Sequence, residues 1–189
     1  VWIGKPSVAY RETVLEVIET PGLVDYDRSV GSTRMQAWVH LRVEPVDCPE
    51  ARTSGDCMIL SDPIVTLGPK VRDFLGFDDE YDESELAQRC DIAKALISGC
   101  KGALKRGPMG SYEIANVRCH VEEIDADGGI ASLKALPGAI RAASSTILTA
   151  TLNANKGSCS VLEPTMRVEI SAPSEMVGTV LSDLTTRRG

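Results

Sequence analysis

The chain has 189 residues and a mass of 20.3 kDa, the size of one domain or of one domain with part of another, and enough to bury a core without metal or disulfide staples. Its apolar fraction of 43% and charged fraction of 25% exclude wholesale disorder and collagen-like compositions, and no apolar run approaches the roughly 18 residues of a membrane span. A net charge of −7 is the wrong sign for a protein that binds nucleic acid over its whole surface, so any RNA contact must be local.

Val1 to Pro6 lacks the basic-then-apolar layout of a signal peptide, and the first residue is not Met, which predicts a piece of something longer. Ser7 to Ile18 is rich in β-branched and aromatic residues and predicts a strand closed by the Pro21-Gly22 turn. The clearest period-two segment is Thr33 to Val43. There Met35, Ala37, Val39, Leu41 and Val43 share one face, and Arg34, Gln36, Trp38, His40 and Arg42 share the other, the pattern of an antiparallel, half-solvated strand. The basic residues of its polar face fit a solvated surface better than a binding stripe. Between Glu44 and Pro69, four prolines and two glycines predict a long irregular excursion with at most a short strand at Met58 to Leu60.

Asp78 to Glu85 holds six acids in eight residues. Acids gathered ahead of a helix and in its first turn, where the macrodipole favours them, explain it better than a metal or basic-partner site. Asp82 and Glu85 have the spacing of a capping box. The helix is predicted over Ser84 to Leu104, with Leu86, Cys90, Ala93, Ile97, Cys100 and Leu104 inward, and Gly107-Pro108 stops it. Ile114 to Ile124 alternates as a strand with Val117, Cys119 and Val121 on one face, and an acidic, glycine-bearing loop follows at Asp125 to Gly129. A second helix has Pro137 near its first turn and Ile140, Ala143, Ile147, Ala150 or Thr151, and Ala154 inward. Thr165 to Ser171 reads as a strand, and Pro173 to Arg188 as a helix with Met176, Val177, Val180, Leu181 and Leu184 inside. This order of elements, with antiparallel alternation, predicts an α+β fold rather than a doubly wound sheet.

No phosphate-binding glycine loop, dinucleotide fingerprint or nucleophile elbow occurs, and two histidines leave few metal or triad options. The expectation is no catalytic, cofactor or metal residue in this chain. Cys119 and His120 are neighbours on a strand and so point to opposite faces, which rules them out as a dyad. Asp125 to Gly129 resembles a calcium loop only in composition, lacking its later ligands. The six cysteines contain no C-x-x-C pair and read as reduced, structural thiols, with Cys90 and Cys100 buried and Cys48 and Cys57 the most accessible.

Three stretches carry a resemblance. Gly4-Lys5-Pro6-Ser7-Val8-Ala9-Tyr10-Arg11-Glu12-Thr13 resembles the opening of domain IV of elongation factor G, a translational GTPase family, and Gly107-Pro108-Met109-Gly110-Ser111-Tyr112 resembles that domain's GP-x-G-x-Y turn. Val161-Leu162-Glu163-Pro164-Thr165-Met166-Arg167-Val168-Glu169 is similar to the start of domain V, as is Leu181 to Leu184 followed by Arg187-Arg188-Gly189. The glycine-rich Gln-aromatic-Gly-His stretch of ordinary family members is absent, since Asp27 to Val39 reads DRSVGSTRMQAWV. No tip-loop histidine is present either. The D-R-x-x-G-x-x-R run and Val43-Glu44-Pro45 are more similar to the second mitochondrial, ribosome-releasing branch of the family.

The resemblance implies residues 1–161 as domain IV, related to a small-subunit ribosomal protein and containing a left-handed β-α-β crossover, and residues 162–189 as the incomplete start of a ferredoxin-like domain V. It implies a ribosome-contacting arm without chemistry of its own, acting in ribosome recycling or in tRNA and mRNA translocation, in the mitochondrial matrix. GTP and magnesium would belong to an N-terminal domain outside this chain. The partners would be ribosomal RNA and the recycling factor, with no membrane and no DNA. The working end would be a tip made of Arg28, Gly31, Ser32, Arg34, Asp125, Asp127, Gly128, Gly129 and Lys134. Its glycines allow close approach to an RNA backbone, and Arg28, Arg34, Lys134 and Arg141 supply positive charge on an acidic body. Two other classes stay open: a free-standing α+β enzyme of the same fold superfamily binding a nucleotide or small molecule, and an interaction module that uses Asp78 to Glu85 against a basic partner.

Overall fold

The structure, a computed structural model, describes residues 9–46, 61–77, 82–164 and 169–186. The long run from Ser7 to Ile18 is broken by a bend into β1 (Arg11–Val14) and β2 (Ile18–Glu19). A strand not expected from the sequence follows, β3 (Val24–Val30), and turns tightly into β4 (Thr33–Pro45). Val30 lies opposite Thr33, which leaves Gly31-Ser32 as a two-residue hairpin loop. Gly31 has φ +62°, and a glycine at the first turn position lets the loop match the twist of the two strands.

β2 and β3 lie end to end along one side of β4, and β6 (Val117–Ala126) lies along the other. The step between β2 and β3 is held by buried Thr20. Its hydroxyl accepts the Leu41 amide hydrogen at 3.0 Å and donates to the Gly22 carbonyl at 2.9 Å. Register between β4 and β6 slips at Glu122, a β-bulge between the His40–Glu123 and Leu41–Val121 pairs.

Within the expected excursion, β5 (Ile64–Leu67) pairs in parallel with β6, and α1 (Pro69–Leu75) follows it. Pro69 opens α1 and Gly76 closes it at φ +63°. Of the residues read as breakers, Gly68 and Pro69 are therefore the N-cap and first residue of a helix. The expected strand at Met58 to Leu60, with Cys48 and Cys57, lies outside the described residues. α1 and α2 (Glu83–Leu104) make the crossover from β5 to β6, so the fold is a mixed α+β arrangement containing a β-α-β unit. The Asp82 carboxylate caps α2 by accepting the Glu85 amide hydrogen at 2.8 Å. That is the helix-start reading of the acidic run, as far as Asp82 to Glu85 are concerned.

After β6 come a short helix, α3 (Ile130–Ala135), and then α4 (Pro137–Ala154). Leu136 separates them with φ −140° and ψ 72°, as a residue before proline is pushed out of the helical region. β7 (Cys159–Leu162), also unforeseen, pairs antiparallel with β1 in a separate two-stranded sheet.

The core lies between the sheet and the helices. Ala37, Val39, Leu41 and Val43 of β4 and Val117, Cys119 and Val121 of β6 are buried as the period-two pattern requires. On α2 the inward stripe is shifted from the expected one. Ile92, Ala93, Leu96, Cys100, Ala103 and Leu104 are buried, whereas Leu86 is exposed and Cys90 and Ile97 are half-buried. On α4, Leu148 and Leu152 are buried and Ala150 and Ala154 are exposed. Gly99 sets the distance between these helices. A Cβ there would lie 2.4 Å from the Arg141 carbonyl oxygen and 2.1 Å from the Ser144 hydroxyl.

Of the expected strand Thr165 to Ser171, residues 165–168 lie outside the described residues and 169–171 are not strand. The final helix forms as α5 (Val177–Thr186), but none of its residues is buried, and Leu181 is 58% exposed. Its apolar stripe, expected inside, has no covering layer among the described residues.

Candidate functional site

The two sequence stretches at the head of the resemblance meet in space. Glu12, fully buried on β1, accepts backbone hydrogen bonds from Met109 at 2.9 Å, Gly110 at 2.8 Å and Tyr112 at 3.1 Å. A carboxylate gripped by three N–H groups fixes the turn Gly107 to Tyr112, since charge-assisted bonds are the strong ones. Gly107 makes room for it, because a Cβ there would fall 2.1 Å from a Glu12 carboxylate oxygen. Ser111 holds φ +61°, and Tyr10 and Tyr112 pack with ring centroids 5.3 Å apart. Burial, and after it the Glu12 charge, push the nearby Cys159 thiol up. This is a joint that holds β1 to the loop after α2; its polar groups are occupied with one another.

The working end expected from the sequence takes a definite shape. Arg28 is exposed on β3 and Arg34 on β4, opposite sides of a β-hairpin rather than a loop, with Gly31 and Ser32 at its point. Asp125 ends up within β6, while Asp127, Gly128 and Gly129 form the turn after it, both glycines at positive φ. Because Ala126 pairs with Ala37, this turn lies beside the hairpin. Arg34, Gln36, Asp127, Ser132, Leu133 and Leu136 line a shared cleft of about 110 Å³, smaller than the roughly 300–1,000 Å³ of an ordinary small-molecule pocket.

The charges at this end are largely paired. Arg34 donates to both carboxylate oxygens of Asp27, at 2.9 and 2.5 Å. The guanidinium holds Asp27 below the usual carboxylate range, and that bond, with Asp27, Asp127 and Asp25 around it, raises Arg34 in return. Lys134 sits in α3 and donates to Glu85 at 2.7 Å, a carboxylate it shares with Arg89. Lys134 first, then Arg89, keeps Glu85 low. Lys134 is thus a brace between α3 and the start of α2. Arg28 is exposed and makes no ion pair with a described residue. Arg141 lies elsewhere, on α4.

Arg89 escaped the sequence reading. It is buried and donates to the Leu75 carbonyl at 2.5 Å, which ties α2 to the end of α1. On the solvated sheet face, Glu44 meets His120 at 3.1 Å, Arg42 at 3.3 Å and Arg118 at 3.6 Å, and the other ring nitrogen of His120 meets the Thr66 hydroxyl at 2.8 Å. The His120 hydrogen bond, and the cations after it, hold the Glu44 carboxyl below its usual range. Cys119 points into the core instead, and a hydrogen bond with Cys100 followed by burial pushes its thiol well up. Among the described residues no group of three or more His, Cys, Asp or Glu could hold a metal ion. No described helix is long and apolar enough to cross a membrane.

No family model matches the chain. Its sequence is 28% identical over 186 residues to elongation factor G of Thermotoga maritima, and 28% identical over the same length to elongation factor G of Thermotoga petrophila. The chain is a distant homologue of elongation factor G. The match takes in 98% of this chain but 22% of each relative, so the chain spans about a fifth of the elongation factors G it resembles. A crystal structure of a Thermus thermophilus protein shares the fold, with a TM-score of 0.65 at 23% identity over 98% of this chain and 23% of that one. The likeness to elongation factor G therefore runs through both the hairpin end and the Glu12 joint.

Proposed function

We propose that this chain is the ribosome-contacting arm of a translational GTPase, corresponding to domain IV of elongation factor G with the first part of domain V from about Leu162. The observation that carries this reading is the likeness to elongation factor G over 98% of the chain. An exposed α5 with an uncovered apolar stripe fits a segment whose remaining layer lies in the rest of domain V. In this reading the sheet contains the left-handed crossover of domain IV, and GTP with magnesium is bound by a separate domain. The D-R-x-x-G-x-x-R run that shapes the hairpin supports the mitochondrial, ribosome-releasing branch, working in the matrix with the recycling factor, over translocation.

The hairpin end and the Asp127–Gly129 turn are the contacting surface. Arg28 meets RNA phosphate there, the backbone at Gly31 comes close to it, and Asp27 holds Arg34 extended toward it. In the full-length factor, Arg28→Ala together with Arg34→Ala is expected to slow subunit splitting or translocation while leaving ribosome-stimulated GTP hydrolysis near wild type. Lys134→Ala serves as the control for the brace to Glu85. Equal loss of splitting and hydrolysis would show the arm to be inseparable from the motor, and unchanged rates of both would remove the hairpin from the contact.

A further inference from the structure

Between Ile92 and Tyr112 the chain carries four cations and no acid, and between Gly128 and Leu162 three cations and no acid, in a protein of net charge −7. The fold packs these two stretches against each other as the C-terminal half of α2 and the whole of α4. Gly99 lets the helices approach until Arg141 stands across from the lysines of α2. An open groove of about 450 Å³ results, walled by Lys94, Lys101, Lys105 and Arg141 and floored in part by Ser98 and Gly102. Lys94 meets Asp91 at 3.1 Å, an exposed pair of little strength. Lys101, Lys105 and Arg141 make no ion pair with a described residue.

We propose that this groove binds the phosphate backbone of RNA, at a second surface that shares no residue with the hairpin end. The cations from Lys94 to Lys105 extend over about 16 Å of helix, too far for one phosphate group and suited to a row of them. Strong protein interfaces are built around aromatic or large apolar anchors, and here only half-buried Ile97 is apolar in that sense. Serine and glycine on the floor leave room for a sugar-phosphate chain to lie close, and cations spaced along the helix suit a row of phosphates, so binding is to the backbone.

The test uses the whole chain, a fluorescent RNA duplex of arbitrary sequence, and polyglutamate as an acidic-peptide probe, over a series of salt concentrations. RNA affinity is expected to fall steeply with salt. Lys101→Glu, Lys105→Glu and Arg141→Glu together should weaken it roughly tenfold or more and flatten the slope of log affinity against log salt by about 2 to 3, at about 0.7 to 0.9 per lost phosphate contact. The charge-keeping set Lys101→Arg and Lys105→Arg should bind as wild type. Circular dichroism of each variant checks the fold. Unchanged RNA binding in the charge-reversed variant, no salt-dependent RNA binding by the wild-type chain, or tighter binding of polyglutamate than of RNA would each overturn the proposal, the last in favour of an acidic protein partner.

Discussion

Removing the Glu12 carboxylate tests whether the joint between β1 and the Gly107–Tyr112 turn is held as described. Glu12→Ala deletes an acceptor for three backbone N–H groups. A hydrogen bond to a charged group contributes about 1.5–3 kcal/mol net, and three bonds that share one carboxylate do not add. Met109 and Gly110 are exposed, so water recovers part of the loss there, and the expected cost is about 3 kcal/mol. Gly107→Ala should cost a similar amount, because its Cβ would occupy the carboxylate position, 2.3 Å from the carboxyl carbon. In the Glu12→Ala background the same methyl enters vacated space, and its cost should drop below about 1 kcal/mol. The double-mutant cycle, read by urea unfolding with far-UV circular dichroism at neutral pH, is therefore expected to show a coupling of about 2 kcal/mol. Additive substitutions, within about 0.5 kcal/mol, would refute the account of Gly107 as the space that receives Glu12.

The helix crossing makes one substitution act with opposite signs three residues apart. Gly99→Ala forces α2 off the Arg141 carbonyl and should cost about 2 kcal/mol by overpacking. Gly102→Ala, with nothing within 4 Å of the new methyl, should stabilise the chain by up to about 1 kcal/mol, and urea midpoints decide both. Acid should act through Glu44. Its carboxyl is held low in the folded state, so its stabilisation is complete above the usual glutamate range and is lost as pH falls through the depressed folded value. Glu44→Gln should remove that part of the acid slope of the unfolding midpoint, and an unaltered slope would dismiss the His120 contact as a source of stability. Among Cys90, Cys100, Cys119 and Cys159, thiol labelling should reach half-buried Cys90 first and Cys119 last, since Cys119 is buried and its thiol is pushed up. Labelling of Cys119 ahead of Cys90 would place the inward face of α2 elsewhere.

The parts legible in the sequence are those whose signal is local. β4 and β6 alternate at period two because one side of each strand faces the core and the other does not, and Asp82 with Glu85 marks the start of α2 through a bond that spans three residues. The GP-x-G-x-Y and GKPSVAYRET stretches were readable as a resemblance, but not as a contact. Only folding brings Glu12 to Met109 and Gly110, whose numbers differ by nearly a hundred. The inward stripe of α2 was misjudged because Leu86 and Ile97 satisfy the same three-and-four spacing as Ile92 and Leu96, and the position of α4 chooses between them. α1 was hidden by its own start signals, Gly68 and Pro69, which a list of breakers reads as irregular chain and a helix uses as its N-terminus. At the hairpin end the sequence supplies the cations, and the tertiary structure decides their state. Arg34 is taken by Asp27 across the strand pair and Lys134 by Glu85 of a distant helix, which leaves Arg28 outward, because an ion pair depends on where two side chains arrive and composition carries no record of that.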